Sequence, residues 1–223
     1  ACDRWSDAAF VEGLAEIAPG EGVLSEEGVQ ECPSTQAYWV VDPLDGTTNF
    51  AAGIPYWAIS IARFVDGEPS EAFLDIPSLR QRIVAIRGQG AWRNQKRLTP
   101  ESRAAAGSSC VSLCSRSIRV LQKRPDQSFP GKIRLLGVAS LNLVSVAMGQ
   151  TAGALEATPK IWDLAAAWLV LTELECPLIW LGPHPAHLQP GRDLSEMGFP
   201  VVAAGSQKQL ERLAPWGESL LKG

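Results

Sequence analysis

A chain of 223 residues, 46% hydrophobic and 20% charged with a formal net charge of -4, is long enough to bury a substantial core as one large domain or two small ones. The acidic balance gives no bulk attraction for a polyanion, so nucleic acid is not an expected partner. Five scattered cysteines (Cys2, Cys32, Cys110, Cys114, Cys176) argue against a disulfide framework and predict reduced thiols in a cytoplasmic protein.

Apolar residues at Trp5, Ala8, Ala9, Val11, Leu14 and Ile17 recur at helical spacing, with Asp7, Glu12 and Glu16 left for water, which predicts an amphipathic helix over residues 4–18. Pro19-Gly20 ends it. The start in mid-helix without an initiator Met predicts that a segment precedes Ala1, and residues 1–5 do not resemble a secretory signal. Val23-Leu24 then leads into Ser25-Glu26-Glu27-Gly28, and Tyr38 to Val41 reads as a strand that opens on a turn at Asp42-Pro43-Leu44-Asp45-Gly46. Strands follow at 56–65, 71–76, 82–86, 91–93 and 96–98, with Asp66-Gly67 as a strong hairpin signal. This meander predicts an α+β unit over residues 1–100.

The small and polar residues 99–109 read as a connection. Beyond them a strand at 110–113, a helix at 117–123, a strand at 133–136, a helix at 140–148, a strand at 153–156 and a long helix at 162–175 alternate, predicting an α/β unit over 101–223. The apolar stretch from Ile161 to Leu181 is interrupted by Asp163, Glu173 and Glu175, so it reads as a buried helix and no membrane is expected. The histidines, His184 and His187, fall in a Pro-rich loop with little claim on a metal. A strand at 201–205 and an amphipathic helix at 207–221 close the chain.

Asp42 and Asp45 carry the strongest chemical signal. Two carboxylates at the exit of an apolar strand are costly to bury without a counter-charge, and oxygen ligands suit a hard cation such as Mg²⁺. Gly46-Thr47-Thr48 adds backbone N–H groups and hydroxyls that suit an anion. Asp163, at the head of the most apolar helix, is either a first-turn partner of the helix dipole or a further metal arm; Glu26 is a solvated loop residue or a third arm. An EF-hand is excluded, because Leu44, Gly46 and Gly53 occupy positions that need oxygen-bearing side chains. An Asp-x-Asp-Gly-Thr phosphoaspartate motif fails at Leu44.

At this point the sequence resembles a known family. Trp39-Val40-Val41-Asp42-Pro43-Leu44-Asp45-Gly46-Thr47-Thr48-Asn49-Phe50 is similar to the first signature of the inositol monophosphatase family, and Ile161-Trp162-Asp163-Leu164-Ala165-Ala166-Ala167 to its second. Ala1-Cys2-Asp3, Ser25-Glu26-Glu27, Gly137-Val138-Ala139-Ser140-Leu141 and Glu156 resemble further family segments in the same order.

The resemblance implies a five-layered α/β/α/β/α sandwich, a homodimer, and a lithium-sensitive, Mg²⁺-dependent hydrolysis of a small phosphate ester. Glu26, Asp42, Asp45, Asp163 and the Leu44 carbonyl would bind Mg²⁺. Thr47, supported by Asp3, and Glu26 would serve catalysis, Gly46 and Thr47 would hold phosphate, and Asp45, Ala139 and Glu156 would contact the alcohol. Thr48-Asn49-Phe50 favours the inositol phosphate branch, while fructose 1,6-bisphosphate, histidinol phosphate and 3'-phosphoadenosine 5'-phosphate remain alternatives. A non-catalytic, dimeric partner-binding module is the alternative of another kind. The family's usual Glu-Ala-Gly-Gly after the second signature is replaced by Glu173-Leu174-Glu175-Cys176.

Overall fold

The computed structural model describes residues 2–221, without the side chains of residues 2, 3, 105, 187 and 221. The helices are α1 (Cys2–Ile17), α2 (Thr47–Ala51), α3 (Pro100–Ala106), α4 (Arg119–Lys123), α5 (Ala139–Ala147), α6 (Ile161–Glu173) and α7 (Gln207–Leu221). A first sheet takes β1 (Gly22–Ser25), β2 (Ala37–Asp45), β3 (Ala58–Val65), β4 (Glu68–Ile76), β5 (Gln81–Ile86), β6 (Gly90–Arg93) and β7 (Lys96–Leu98) in sequence order. β1 and β2 are parallel, and the remaining neighbours are antiparallel. The second sheet takes β8 (Cys110–Leu113), β9 (Lys132–Arg134), β10 (Gly153–Glu156), β11 (Leu178–Trp180) and β12 (Val201–Ala204) in the order β11-β12-β10-β8-β9.

The layers follow from which faces are apolar. On β3 and β4 the alternating residues Ala58, Ala62, Phe64, Ala72, Leu74 and Ile76 are buried against the central helices. α6 packs on β2 to β6 and on α5, and α5 reaches β8, β10 and β12 of the second sheet. α6 is buried on every side, from Leu164 through Ala167 to Leu171, as expected of a helix that is hydrophobic all round and lies between layers. α1 covers the outer face of the first sheet through Leu14, Val41 and Ile61, and α4 and α7 cover the second. The order α1, sheet, α5 and α6, sheet, α4 and α7 is the expected five-layered sandwich.

Several local expectations change. Trp5 is 74% and Ile17 73% exposed, and the inward arc of α1 is Asp7, Phe10 and Leu14, spaced by three and four. Asp7, expected to face water, is buried because it accepts a hydrogen bond from the buried Ser25 hydroxyl. The connection after β7 contains α3, capped by reciprocal Thr99 and Ser102 hydrogen bonds. The apolar stretch 161–181 is not one helix: α6 stops at Glu173, and Glu175, with φ 52, turns the chain towards β11. A left-handed Glu thus occupies the turn where the resemblance implies a glycine, and the Glu173 carboxylate accepts from the Gly88 and Gly90 N–H groups at 2.8 Å each. The β9 strand ends at Arg134, so Leu135 and Leu136 lie outside it and are exposed.

His184 is committed to packing, since its Nδ1 accepts from Ala186 N–H and its ring meets Trp168 and Trp180 edge-on. The His187 side chain lies outside the described residues. The hairpin at Asp66-Gly67 forms as its sequence predicts, both residues adopting the positive φ (54 and 79) of a two-residue primed turn.

Candidate metal and phosphate site

β2 does not end at Val41. It continues through Asp45, and its pairing with β3 shifts between Asp42 and Asp45. Pro43 has no N–H for a ladder, so it belongs at this irregularity. The Leu44 N–H donates to Asp42 Oδ1 at 2.9 Å, fixing that carboxylate beside the shifted segment. Gly46 then turns the chain into α2 with φ 97. A Cβ there would stand 2.8 Å from Val138 Cγ2 and 3.3 Å from Trp57 Cβ, so both conformation and space require glycine. Gly46→Ala is therefore expected to destabilise the fold by roughly 2–4 kcal/mol, combining the left-handed penalty with overpacking. Thermal unfolding measures this; an unchanged melting temperature would show that the turn relaxes freely.

Asp163 arrives from the other half of the chain. Position N3 of α6 lets its Oδ2 accept from the Lys160 N–H at 2.7 Å, while the Lys160 ammonium is occupied by the Ser195 carbonyl. Asp42, Asp45 and Asp163 each bring a carboxylate oxygen within 4.8 Å of the others. Asp42 is fully buried and Asp45 7% exposed. Among the described residues none of the three has an ion-pair partner, and Asp42 Oδ2 is buried with no hydrogen-bond partner.

Burial, followed by repulsion from Asp45, Glu26 and Asp163, holds the Asp42 carboxyl well above the ordinary carboxylate range. Burial and Asp45 push Asp163 up to about 8. For Asp45, burial raises the carboxyl against the opposing hydrogen bonds of Ser140 and Ala139. Three buried acids without a counter-charge, one of them with an orphaned oxygen, fit a divalent oxygen-ligated cation.

The remaining expected residues take distinct places. Glu26 follows Ser25, which is in register with Val41, and its N–H donates to Val41 O; its charge is felt by Asp42 and Asp163, but it stands outside the tight group of three. Glu27 faces Arg4 at 3.7 Å. Thr47 donates its hydroxyl to the Leu44 carbonyl at 3.1 Å, which leaves that carbonyl a second lone pair. Asp3, expected to support Thr47, lies outside the described side chains. Asp45 Oδ2 accepts from the Ser140 N–H at 2.7 Å, capping the start of α5 from a different sheet. Asn49 strengthens the same junction by donating to Tyr56 O and Leu136 O.

Beside the acids lies a cavity of about 270 Å³ whose lining includes Asp45, Ala139, Asn142, Glu156, Asp163 and Arg116. Sequence reasoning missed Asn142, which donates from Nδ2 to Glu156 Oε1 at 2.8 Å and holds that carboxylate at the cavity wall. Its signal was present: with Ser140 and Ser145, Asn142 is one of three polar residues in an otherwise apolar helix. Burial pushes the Glu156 carboxyl up to about 8, against the opposing bond from Asn142. Cys114, one of the cysteines expected as a reduced thiol, also lines the cavity. A larger concavity of about 540 Å³ on the outer face of the first sheet, near Asp75, Arg82 and Trp92, gathers no comparable acids; Arg82 there is paired with Asp75 and stacked on Phe73.

The profile of the inositol monophosphatase family matches residues 1–214. An inositol-1-monophosphatase of Rhizobium meliloti (strain 1021) is 35% identical over 179 residues, covering 77% of this chain and 67% of that protein. The Nus factor SuhB of Xylella fastidiosa (strain Temecula1 / ATCC 700964) is 32% identical over 190 residues, covering 77% and 64% respectively. The match thus spans about two-thirds of the length of these relatives. In three dimensions, the crystal structure of inositol monophosphatase-II from Staphylococcus aureus MSSA476 superposes with a TM-score of 0.79 at 24% identity, covering 99% of this chain and 84% of that one. With two signatures in order, their acids brought together in space and a family profile spanning nearly the whole sequence, the chain belongs to the inositol monophosphatase family.

Proposed function

We propose that the protein is a Mg²⁺-dependent phosphomonoesterase acting on small sugar or polyol phosphates, with inositol 1-phosphate the first substrate to test. The observation that carries this reading is the uncompensated group Asp42, Asp45 and Asp163 beside a cavity whose lining includes Asp45, Asp163 and Glu156. In this reading Glu26, Asp42, Asp45, Asp163 and the Leu44 carbonyl hold the cations. When bound, these ions supply charge neutralisation for the phosphate and an acidified water.

The chain's own groups do the rest. Backbone N–H groups of Gly46 and Thr47 receive phosphate oxygens, in a turn preset by the φ of Gly46. The Thr47 hydroxyl is oriented by the Leu44 carbonyl, leaving its oxygen to accept a hydrogen bond from a water. Asp45, Ala139 and Glu156 position the alcohol, with Asn142 holding Glu156. Homodimer formation, a cytoplasmic location and inhibition by lithium complete the reading.

A second role in partner binding is suggested by the Nus factor among the relatives, but the intact acid set favours catalysis. The test is a panel of phosphomonoesters assayed with Mg²⁺ and with chelator. Mg²⁺-dependent phosphate release is expected, and no metal-dependent turnover of any small ester would sink the enzyme reading.

A further inference from the structure

The cavity beside the acids has a mixed charge lining. Asp45, Asp163 and Glu156 line it, and among the described residues lining it Arg116 is the one cation. Arg116 sits in the 3-10 turn over Ser115–Ile118 that follows β8, and its Nη1 donates to Thr158 Oγ1 at 2.6 Å. Thr158 lies on the segment joining β10, which carries Glu156, to α6, which carries Asp163. The tether therefore ties the guanidinium to the segment between the two acids.

Several other arginines of the chain have structural partners. Arg63 pairs with Glu21, Arg82 with Asp75 and Arg87 with Glu68, while Arg97 stacks on Trp92 and Arg124 on Trp216. Arg116 makes no ion pair and no aromatic stack among the described residues, and the Thr158 hydroxyl is its one acceptor there. Its remaining N–H donors keep a fork that matches a phosphate.

We propose that Arg116, held by Thr158, is a second-anion subsite that takes a non-reacting phosphoryl group on the alcohol part of the substrate. The proposal rests on the phosphatase reading above. The reacting phosphate belongs at the acid cluster with its cations, and Arg116 is the cation that the rest of the described cavity lining offers to a further anion. A second phosphoryl group is accommodated at Arg116, where the lining carries positive charge. The matching substrates are sugar bisphosphates and nucleoside bisphosphates, whose shared chemistry is a second phosphoryl group on the leaving alcohol.

The experiment compares kcat/KM of the Mg²⁺-loaded chain for inositol 1-phosphate, fructose 1,6-bisphosphate and 3'-phosphoadenosine 5'-phosphate, in the wild type and in Arg116→Gln and Arg116→Lys. Arg116→Gln is expected to lower kcat/KM for at least one bisphosphate about ten- to a hundredfold more than for inositol 1-phosphate, mainly through KM, as loss of a charge-assisted contact predicts. Arg116→Lys should recover part of the difference, and Thr158→Val should shift it in the same direction by less. Whichever bisphosphate responds identifies the sugar or nucleotide source. Equal losses on all three substrates, no selective loss, or a wild type that hydrolyses inositol 1-phosphate but neither bisphosphate overturns the subsite. Turnover of none of the three would instead sink the phosphatase reading, and the subsite with it.

Discussion

Asp42→Asn is expected to produce two effects of opposite sign. Hydrolysis should fall by about three orders of magnitude, because a metal ligand supplies several kcal/mol of charge stabilisation and each ~1.4 kcal/mol is tenfold in rate. Metal-free stability at pH 8 should nevertheless rise. Asp42 is fully buried, its Oδ2 has no partner, and its charge is opposed by Asp45, Glu26 and Asp163. Asparagine keeps the shape and can retain the contact to the Leu44 N–H while removing the charge. Phosphate release together with thermal unfolding in chelator tests both halves. Near-normal turnover would show that Asp42 is no essential ligand; a lower melting temperature would show that its carboxylate serves the fold rather than a cation.

That opposition between stability and activity explains which parts of the site could be read from sequence. Asp42, Asp45 and Asp163 were legible because a carboxylate inside an apolar strand or at the head of an apolar helix violates the burial rule visibly, wherever its partners lie. Their separation in the chain did not hide them, since each violation is local. Arg116 breaks no such rule, and Asn142 breaks it only as an uncharged polar residue in an apolar helix. An arginine in a polar turn and an asparagine in a helix acquire meaning only when Thr158 and Glu156 are brought to them across the second sheet.

The fold shows the same division. The β3–β7 meander and its Asp66-Gly67 turn follow from local pattern and turn chemistry. Asp7 could not be placed, because its burial depends on the Ser25 hydroxyl in a different element. The continuation of β2 through Pro43 was hidden by residues that individually favour a turn; pairing with Ala58 and Ser60 of β3 overrides them. The halt of α6 and the start of β11 were likewise masked, because Glu175 takes the left-handed conformation that a glycine would have announced.

The acid cluster also sets how stability responds to pH and to metal. In the folded chain without metal, burial and mutual repulsion push Asp163 up to about 8, and burial pushes Glu156 up to about 8, with Asp42 and Asp45 raised as well. The same carboxyls in the unfolded chain titrate near about 4. Between those limits the folded chain holds protons that the unfolded chain has released, so stability falls as pH rises across the window. Glu21 has the opposite sign, since hydrogen bonding to Arg63 lowers its carboxyl, but its contribution is lost only at more acidic pH. In chelator, the melting temperature is therefore expected to fall from pH 6 to pH 8.5.

Mg²⁺ competes with those protons, so its stabilisation should be larger at pH 8.5 than at pH 6. At about 100-fold excess over its dissociation constant the gain is ~2.7 kcal/mol, or about 5–10 °C for a chain of this size. Asp163→Asn should weaken both the pH slope in chelator and the response to Mg²⁺. A melting temperature that rises with pH in chelator, or one that ignores Mg²⁺ at pH 8.5, would mean that these carboxylates are compensated within the protein and hold no cation.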